Sequence, residues 1–199
     1  MQHADRLVEH ARHLVEIGRS DQAVSCLDQA LHADPSHSDA HALRAIAFYN
    51  VGRFEEALAA ANSAIALQPA DFSAHYGRSY ALHGLGRWRE SVEAAAEAVR
   101  LDPQWPGGLR RLGYAQLTAG QSQAASETAT RLLLLAPDSA ETYELLGLIA
   151  AADKMPQQAE QYFRKALELN PESASSHAQL GLALLANKYQ LVITREVRS

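Results

Sequence analysis

The chain is short of the residues that mark secreted and membrane proteins. It has one cysteine, Cys26, in 199 residues, so no internal disulfide is possible. No apolar run approaches the length that crosses a bilayer, and the N-terminal MQHADRLVEHARH lacks the apolar core of a signal peptide. We therefore expect a soluble cytoplasmic protein without a membrane span.

Basic charge and aromatic side chains are also scarce. The 18 lysines and arginines face 23 acidic residues, for a formal charge of −5, whereas general nucleic-acid binders carry a basic face. We expect no nucleic-acid partner. Aromatic residues make up 7% of the chain against 47% for all hydrophobic residues, with alanine prominent. This composition excludes a disordered chain and favours closely packed helices over a core of bulky side chains.

What the sequence has in place of these features is a regular repeat. The stretch AVRLDP at residues 98–103 has counterparts ALHADP, AIALQP, LLLLAP and ALELNP. The closing prolines stand 34 residues apart, at Pro35, Pro69, Pro103, Pro137 and Pro171. If the proline is position 32 of each unit, positions 8, 20 and 27 are mostly small, as in Ala45, Ala57 and Ala64. Small residues at these positions let two helices approach closely.

A turn separates the two helices of each unit. Position 15 is glycine in four units, as at Gly52, and glycine readily takes the left-handed conformation that ends a helix. The fifth unit has Lys154 there, followed by Pro156, which suits the first turn of the next helix. Each unit is therefore predicted to be a helical hairpin. First helices are expected near 4–17, 38–51, 72–85, 106–119, 140–153 and 174–187, and second helices near 21–33, 54–67, 88–101, 122–135 and 156–169.

This pattern resembles the tetratricopeptide repeat. The fifth unit matches its consensus best, at Tyr143, Leu146, Gly147, Ala159, Phe163, Ala166 and Pro171. His41, His75 and His177 stand where the family often has tryptophan. The resemblance implies an all-α fold, a right-handed superhelical solenoid of stacked hairpins with a concave side. We expect a single array over 1–199, with repeats at about 4–37, 38–71, 72–105, 106–139 and 140–173 and a partial sixth at 174–199.

The sixth unit departs from the pattern. After LLANKYQ the chain reads LVITREVRS, without the small residues of a second helix. Leu191, Val192 and Ile193 predict an apolar edge that either folds over as a short helix or pairs with another molecule. A homo-oligomer through this edge is one expectation.

Candidates for catalysis or metal binding are weak. HGLGRW at 83–88 has two of the three glycines of a dinucleotide motif but follows no strand. Ser79 lies inside a helix without the strand–turn–helix elbow of a hydrolase. The pairs His10 with His13 and His37 with His41 are too few ligands to close a zinc site. We therefore expect no enzyme, no cofactor and no metal.

The resemblance implies that positions 2, 5, 9 and 12 of the first helices line the concave surface. Four tyrosines, Tyr49, Tyr76, Tyr80 and Tyr114, fall on these positions, and tyrosine is common at interfaces. Val8 and Arg12 stand where some family members have the lysine and asparagine that hold a C-terminal carboxylate, so that clamp is not expected. The predicted site, for a peptide or helix of a partner protein, is Arg12, Ile46, Tyr49, Asn50, Tyr76, Tyr80, His83, Arg110, Tyr114, Leu117 and Glu144.

Alternatives to this interpretation remain open. The rings could instead fill gaps between adjacent first helices. Trp88, at the position of Phe54, is interpreted as packing between hairpins, and Trp105 as the cover of a helix end. At the level of function, the alternatives are a targeting or regulatory arm of a larger enzyme or secretion machine, and a self-assembling adaptor.

Overall fold

The computed structural model describes the backbone of residues 2–196 and the side chains of residues 3–189. Its regular elements are α-helices, joined by connections that alternate between three and four residues. The all-α prediction is confirmed. The helices are α1 (Gln2–Glu16), α2 (Ser20–Ala33), α3 (Ser38–Asn50), α4 (Phe54–Leu67), α5 (Phe72–Gly84), α6 (Trp88–Leu101), α7 (Pro106–Thr118), α8 (Ser122–Leu135), α9 (Ala140–Ala152), α10 (Pro156–Leu169) and α11 (Ala174–Glu196).

The three-residue connections are the predicted turns inside the hairpins. Gly52 has φ +79°, and the amide of Arg53 reaches back to the carbonyl of Phe48 at 2.9 Å, which closes the helix end. In the fifth hairpin Lys154 takes the same left-handed conformation, with φ 59°. The fold therefore imposes the left-handed conformation at this position, although that conformation is unfavourable for lysine.

The chain divides into two compact units, Met1–Ala115 and Gln116–Ser199. In the first unit α1 pairs with α2, α3 with α4 and α5 with α6, while α1, α3 and α5 also touch in succession. The predicted small positions form its core, since Ala45, Ala57 and Ala64 are all fully buried. Close helix contact leaves no room for larger side chains there, because protein interiors are densely packed.

Recurring histidines link consecutive hairpins. The Nε2 atoms of His41 and His75 each donate to the carbonyl of the proline that ends the preceding hairpin, Pro35 and Pro69, at 3.0 Å. His177 makes the same bond to Pro171 at 2.8 Å. These histidines therefore fasten the start of a first helix, which accounts for their recurrence.

In the second unit α9 packs on α8 and α10, and α10 packs on α11. The consensus residues meet as the resemblance implies: a Cβ added to Gly147 would lie 2.5 Å from the ring of Phe163. Phe163 is 1% exposed and fills the centre of this hairpin.

The sixth unit differs from the expected first helix over 174–187. Helix α11 continues without a turn to Glu196. Lys188 occupies the turn position, but no proline follows it, so nothing interrupts the helical hydrogen bonds. The exposed apolar side chains on α11 are Leu182, Leu184, Leu185 and Tyr189. The side chains of Leu191, Val192 and Ile193, on which the apolar edge was predicted, lie outside the described ones.

Candidate functional site

Five aromatic rings form a continuous cluster in the first unit, which we call the aromatic cluster. The ring centres of Tyr49 and Tyr80 are 4.8 Å apart, as are those of Tyr80 and Tyr76. Trp105 follows at 4.6 Å from Tyr76, and Phe72 lies 5.0 Å from Trp105. These pairs are tilted or edge-on, as aromatic rings prefer.

Helix spacing and glycine together place these rings. Phe72, Tyr76 and Tyr80 are four residues apart on α5 and so share one face of that helix. Trp105 stands just before α7, where an added Cβ at Gly107 would lie 2.7 Å from its ring and one at Gly108 would lie 3.0 Å away. The two glycines thus make room for the indole against the helix. The interpretation of Trp105 as only the cover of a helix end is too narrow, because its ring also joins the cluster.

The cluster is neither sealed in the core nor fully open. Tyr49, Tyr76 and Tyr80 are all half-buried. The hydroxyls of Tyr76 and Tyr80 are 3.2 Å apart. Burial raises the pKa of Tyr76, and Tyr80 raises it further, whereas the charge of Arg110 and its hydrogen bond to the Tyr76 hydroxyl oppose the shift. Burial also raises the pKa of Tyr49. Tyr49 and Tyr76 therefore present apolar area together with neutral hydroxyl groups.

A buried arginine, Arg111, packs against the Tyr80 ring of the cluster. The side chain of Arg111 is buried, and its Nε donates to Ser79 Oγ at 2.8 Å while its Nη2 donates to Ser91 Oγ at 2.9 Å. Ser79 and Ser91 occupy two of the predicted small positions, so this hairpin has hydroxyls where the others mostly have apolar groups. Burial lowers the pKa of the guanidinium. Arg111 joins α7 to both helices of the third hairpin.

The structure brings some of the predicted site residues together. Tyr49, Tyr76 and Tyr80 meet in the aromatic cluster, and Arg110 is hydrogen-bonded to the hydroxyl of Tyr76. Tyr114, also half-buried, lies one turn after Arg110 on the same face of α7.

Other predicted residues lie around or outside the cluster. The ring of His83 is 4.9 Å from that of Trp88, and burial and Arg111 lower the pKa of His83. Trp88 is 42% exposed, so packing between hairpins covers only part of it. Asn50 instead donates to Ser20 Oγ at 3.1 Å, near the hairpin turns.

The second unit holds the last two predicted residues. Leu117 is half-buried near the end of α7. The carboxylate of Glu144 accepts hydrogen bonds from the hydroxyls of Ser173 and Ser176, which fastens α9 to the start of α11.

Arg12 and Ile46 line a cleft in the first unit that adjoins the aromatic cluster. The cleft has a volume of about 370 Å³ and lies where α1, α3 and α5 face one another. Its wall also includes Asp39, Asp71 and Phe72. Phe72 belongs to the aromatic cluster too, so the two features are continuous.

Four residues of this region were missed from the sequence: Phe72, Asp71, Trp105 and Arg111. A signal existed for Phe72, which precedes Tyr76 and Tyr80 at the same four-residue spacing. Trp105 stands before two glycines, which is a pattern that signals room for a large ring. Asp71 and Arg111 carried no local signal, because their importance depends on burial.

Features of metal sites and membrane spans do not occur in the described part of the chain. Within the described ranges, no group of three or more histidine, cysteine or acidic side chains is placed to hold a metal ion. Among the helices that the structure describes, none is long and apolar enough to cross a membrane. Cys26 is a free, half-buried thiol.

The comparison with known families covers most of the chain. The tetratricopeptide repeat family matches residues 8–71, 42–106 and 110–174. The chain belongs to the tetratricopeptide repeat family. Its hairpins, glycine turns and closing prolines are those of this family. No curated protein sequence is similar enough to be matched.

Solved structures share the fold, among them TTC0263 and YrrB, which are described as tetratricopeptide repeat proteins. TTC0263 from Thermus thermophilus is 20% identical, with a TM-score of 0.81 over 92% of this chain and 99% of that one. YrrB, described as having an unusual peptide-binding site, is 18% identical, with a TM-score of 0.62 over 87% and 90%. Human IFIT1, solved as a dimer with m7Gppp-AAAA, is 20% identical, with a TM-score of 0.80 over 93% of this chain and 47% of that one.

Proposed function

We propose that this protein is a non-catalytic scaffold that holds a peptide or helix of a partner protein on the face of its first helices that carries the aromatic cluster. The tetratricopeptide repeat fold in general suggests protein–protein interaction. The observation that carries the proposal is the aromatic cluster. Its rings are half-buried and joined into one surface by contacts of 5.0 Å or less.

The physical case rests on what half-buried tyrosines offer a ligand. A tyrosine supplies a large apolar face and a polar tip and loses little rotamer freedom on binding, which is why it is frequent at binding hot spots. The Arg111 guanidinium packs on the face of the Tyr80 ring, and the Trp105 indole packs closely against the backbone at Gly107 and Gly108. Rings held in place before binding reduce the entropy cost of forming the complex.

The test uses a library of random linear peptides displayed on phage. Peptides selected on the wild-type protein are synthesised, and their dissociation constants are measured. We expect the Tyr76→Ala/Tyr80→Ala variant to weaken binding at least about tenfold, which corresponds to ~1.4 kcal/mol. The Tyr80→Leu variant, which keeps apolar bulk, provides a second measurement if the double variant is unstable.

The matched control is Tyr143→Ala, since Tyr143 is also half-buried, belongs to α9 in the other unit and lines neither the aromatic cluster nor the cleft on α11. Circular dichroism and urea unfolding establish that each variant is folded. Selected peptides that bind the wild type, the double variant and Tyr80→Leu equally well would contradict the proposal.

A second candidate function is self-association through α11. Leu182 and Leu185 are 60% and 54% exposed, and Leu182 lines a largely apolar cleft of about 470 Å³ with Ala151 and Pro156. Exposed apolar surface of this kind favours association with another copy. Sedimentation velocity over a range of concentrations tests this proposal: the mass should rise for the wild type and not for Leu182→Glu. A wild-type monomer throughout that range would contradict it.

A further inference from the structure

Asp71, which lines the cleft between α1, α3 and α5, has one carboxylate oxygen for which the described residues supply no hydrogen-bond donor. Asp71 is 8% exposed and caps the start of α5. Its Oδ1 accepts from the amide and the hydroxyl of Ser73, at 2.9 and 2.7 Å. Among the described residues, Oδ2 is buried and has no partner. A buried charged oxygen with no donor carries a free-energy cost that a ligand can relieve.

The charges around Asp71 favour a cationic ligand. Asp39 also lines the cleft and is exposed. Among the described residues of the cleft wall, the one basic side chain is that of Arg12, which faces Glu9 on its own helix, with Nε 3.5 Å from the carboxylate. One arginine against two aspartates leaves this cleft with a net negative charge.

The number and arrangement of the oxygens distinguish between cations. A divalent metal ion is disfavoured, because the cleft wall has two acidic side chains and, among the described residues, no group of three or more histidine, cysteine or acidic side chains is placed to hold one. A guanidinium pairs best with both oxygens of one carboxylate, but Oδ1 of Asp71 is already occupied by Ser73. An ammonium group is a compact charge with three donors and can satisfy a single oxygen. Its carbon stem suits the apolar wall made by Ile46 and Phe72.

We propose that this cleft binds a lysine side chain of the partner segment, with its ammonium group on Asp71 Oδ2 and close to Asp39. This inference rests on the proposed function and names the chemistry of the ligand. Phe72 lines the cleft and packs on Trp105, so a segment that places its lysine in the cleft continues onto the aromatic cluster. The recognised feature is a lysine beside apolar residues.

The experiment uses the same library of random linear peptides and two asparagine variants. Asp71→Asn keeps the capping oxygen of the helix and removes the charge. Its matched control is Asp102→Asn, because Asp102 makes a similar bond to Gln104 N at 3.2 Å but does not line the cleft. We expect peptides selected on the wild type and on Asp102→Asn to be enriched in lysine, and those selected on Asp71→Asn not to be.

A double-mutant cycle then measures the contact. Replacing the lysine of a selected peptide by norleucine keeps the carbon stem and removes the charge. This change should weaken binding to the wild type about tenfold or more and should scarcely affect binding to Asp71→Asn.

The outcomes separate the two proposals. Two outcomes would overturn the lysine site and leave the scaffold proposal in place. In the first, the selected peptides depend on Tyr80 but are not enriched in lysine. In the second, replacing lysine by norleucine weakens binding equally to the wild type and to Asp71→Asn. A library that yields no binder to the wild type would overturn both proposals.

Discussion

The guanidinium carbon of Arg111 lies 4.4 Å from the centre of the Tyr80 ring. Arg111 is 4% exposed, and the hydrogen bonds that anchor it go to uncharged groups, Ser79 and Ser91. The contact couples a buried positive charge to the surface on which we propose that a partner binds. It also accounts for two serines at positions where a repeat of this family commonly has a small apolar residue.

Removing this arginine should destabilise the protein. We expect Arg111→Ala to lower the free energy of unfolding by about 3 kcal/mol, because it removes charge-assisted hydrogen bonds and leaves a cavity. Arg111→Lys should also be destabilising, since an ammonium cannot bridge both serines as a planar fork does. Urea unfolding provides the measurement. The control is Arg100→Ala, whose side chain pairs with Glu97 on the surface and should matter little. Equal stability of Arg111→Ala and the wild type would contradict this account.

A second prediction concerns the contact between α5 and Phe54. A Cβ at Gly84 would overlap the ring of Phe54, so Gly84→Ala should cost about 2 kcal/mol of unfolding free energy through overpacking. Gly181 is the matched control, because it lies inside α11 with nothing within 4 Å of an added Cβ. Gly181→Ala should gain up to about 1 kcal/mol from helix propensity. The midpoints of thermal and urea unfolding should therefore fall for Gly84→Ala and rise for Gly181→Ala. Shifts of the same sign would contradict the close packing of Gly84 against Phe54.

The turn at Lys154 offers a stabilising change. Lys154 has φ 59°, a conformation that costs an ordinary residue about 1–2 kcal/mol and glycine almost nothing. We expect Lys154→Gly to raise the free energy of unfolding by about 1 kcal/mol after the added flexibility of the unfolded chain is counted. The reverse change at an equivalent turn, Gly52→Ala, should lower it. If Lys154→Gly proved destabilising, the left-handed turn would not be the source of strain.

The raised pKa of Tyr76 predicts a loss of stability in alkali. Burial is the main cause, and Tyr80 adds to it. An unfolded tyrosine loses its proton near pH 10, whereas the folded Tyr76 retains it to higher pH. The free energy of unfolding is therefore unaffected by this group below pH 10 and declines as the pH rises further. Above pH 10 the folded protein keeps the Tyr76 proton that the unfolded chain has lost, so alkali favours unfolding.

The measurement is urea unfolding between about pH 9 and 11. Tyr76→Phe should show a shallower decline than the wild type, and Tyr49, whose pKa is also raised, should account for part of the remainder. Parallel curves for the two proteins would show that Tyr76 does not carry the effect.

Much of the fold could be predicted because its signals lie within single repeats. The glycine turn at Gly52 and the small residues Ala45 and Ala57 are all local features of one hairpin. The exception was the sixth unit. There Lys188 stands at the turn position, as Lys154 does in the fifth, but no proline follows it, and helix α11 continues.

The site was predictable only in part. Tyr76 and Tyr80 could be placed together because they are one helical turn apart. Asn50 lies on the helix that carries Tyr49, yet its amide points to Ser20. A helical pattern gives the face on which a residue lies and leaves its rotamer and its partners undetermined.

The sequence by itself determined the helical hairpins, their period and the tetratricopeptide repeat family, because each depends on interactions within about one repeat. The tertiary structure alone decided that Trp105 and Phe72 complete the aromatic cluster, that Arg111 reaches Ser79 across 32 residues and that one oxygen of Asp71 is buried without a donor. Those features arise where side chains of neighbouring hairpins meet. A local pattern, such as the spacing of Phe72 and Tyr76, gives the face that residues share but not the partners that the next hairpin brings to it.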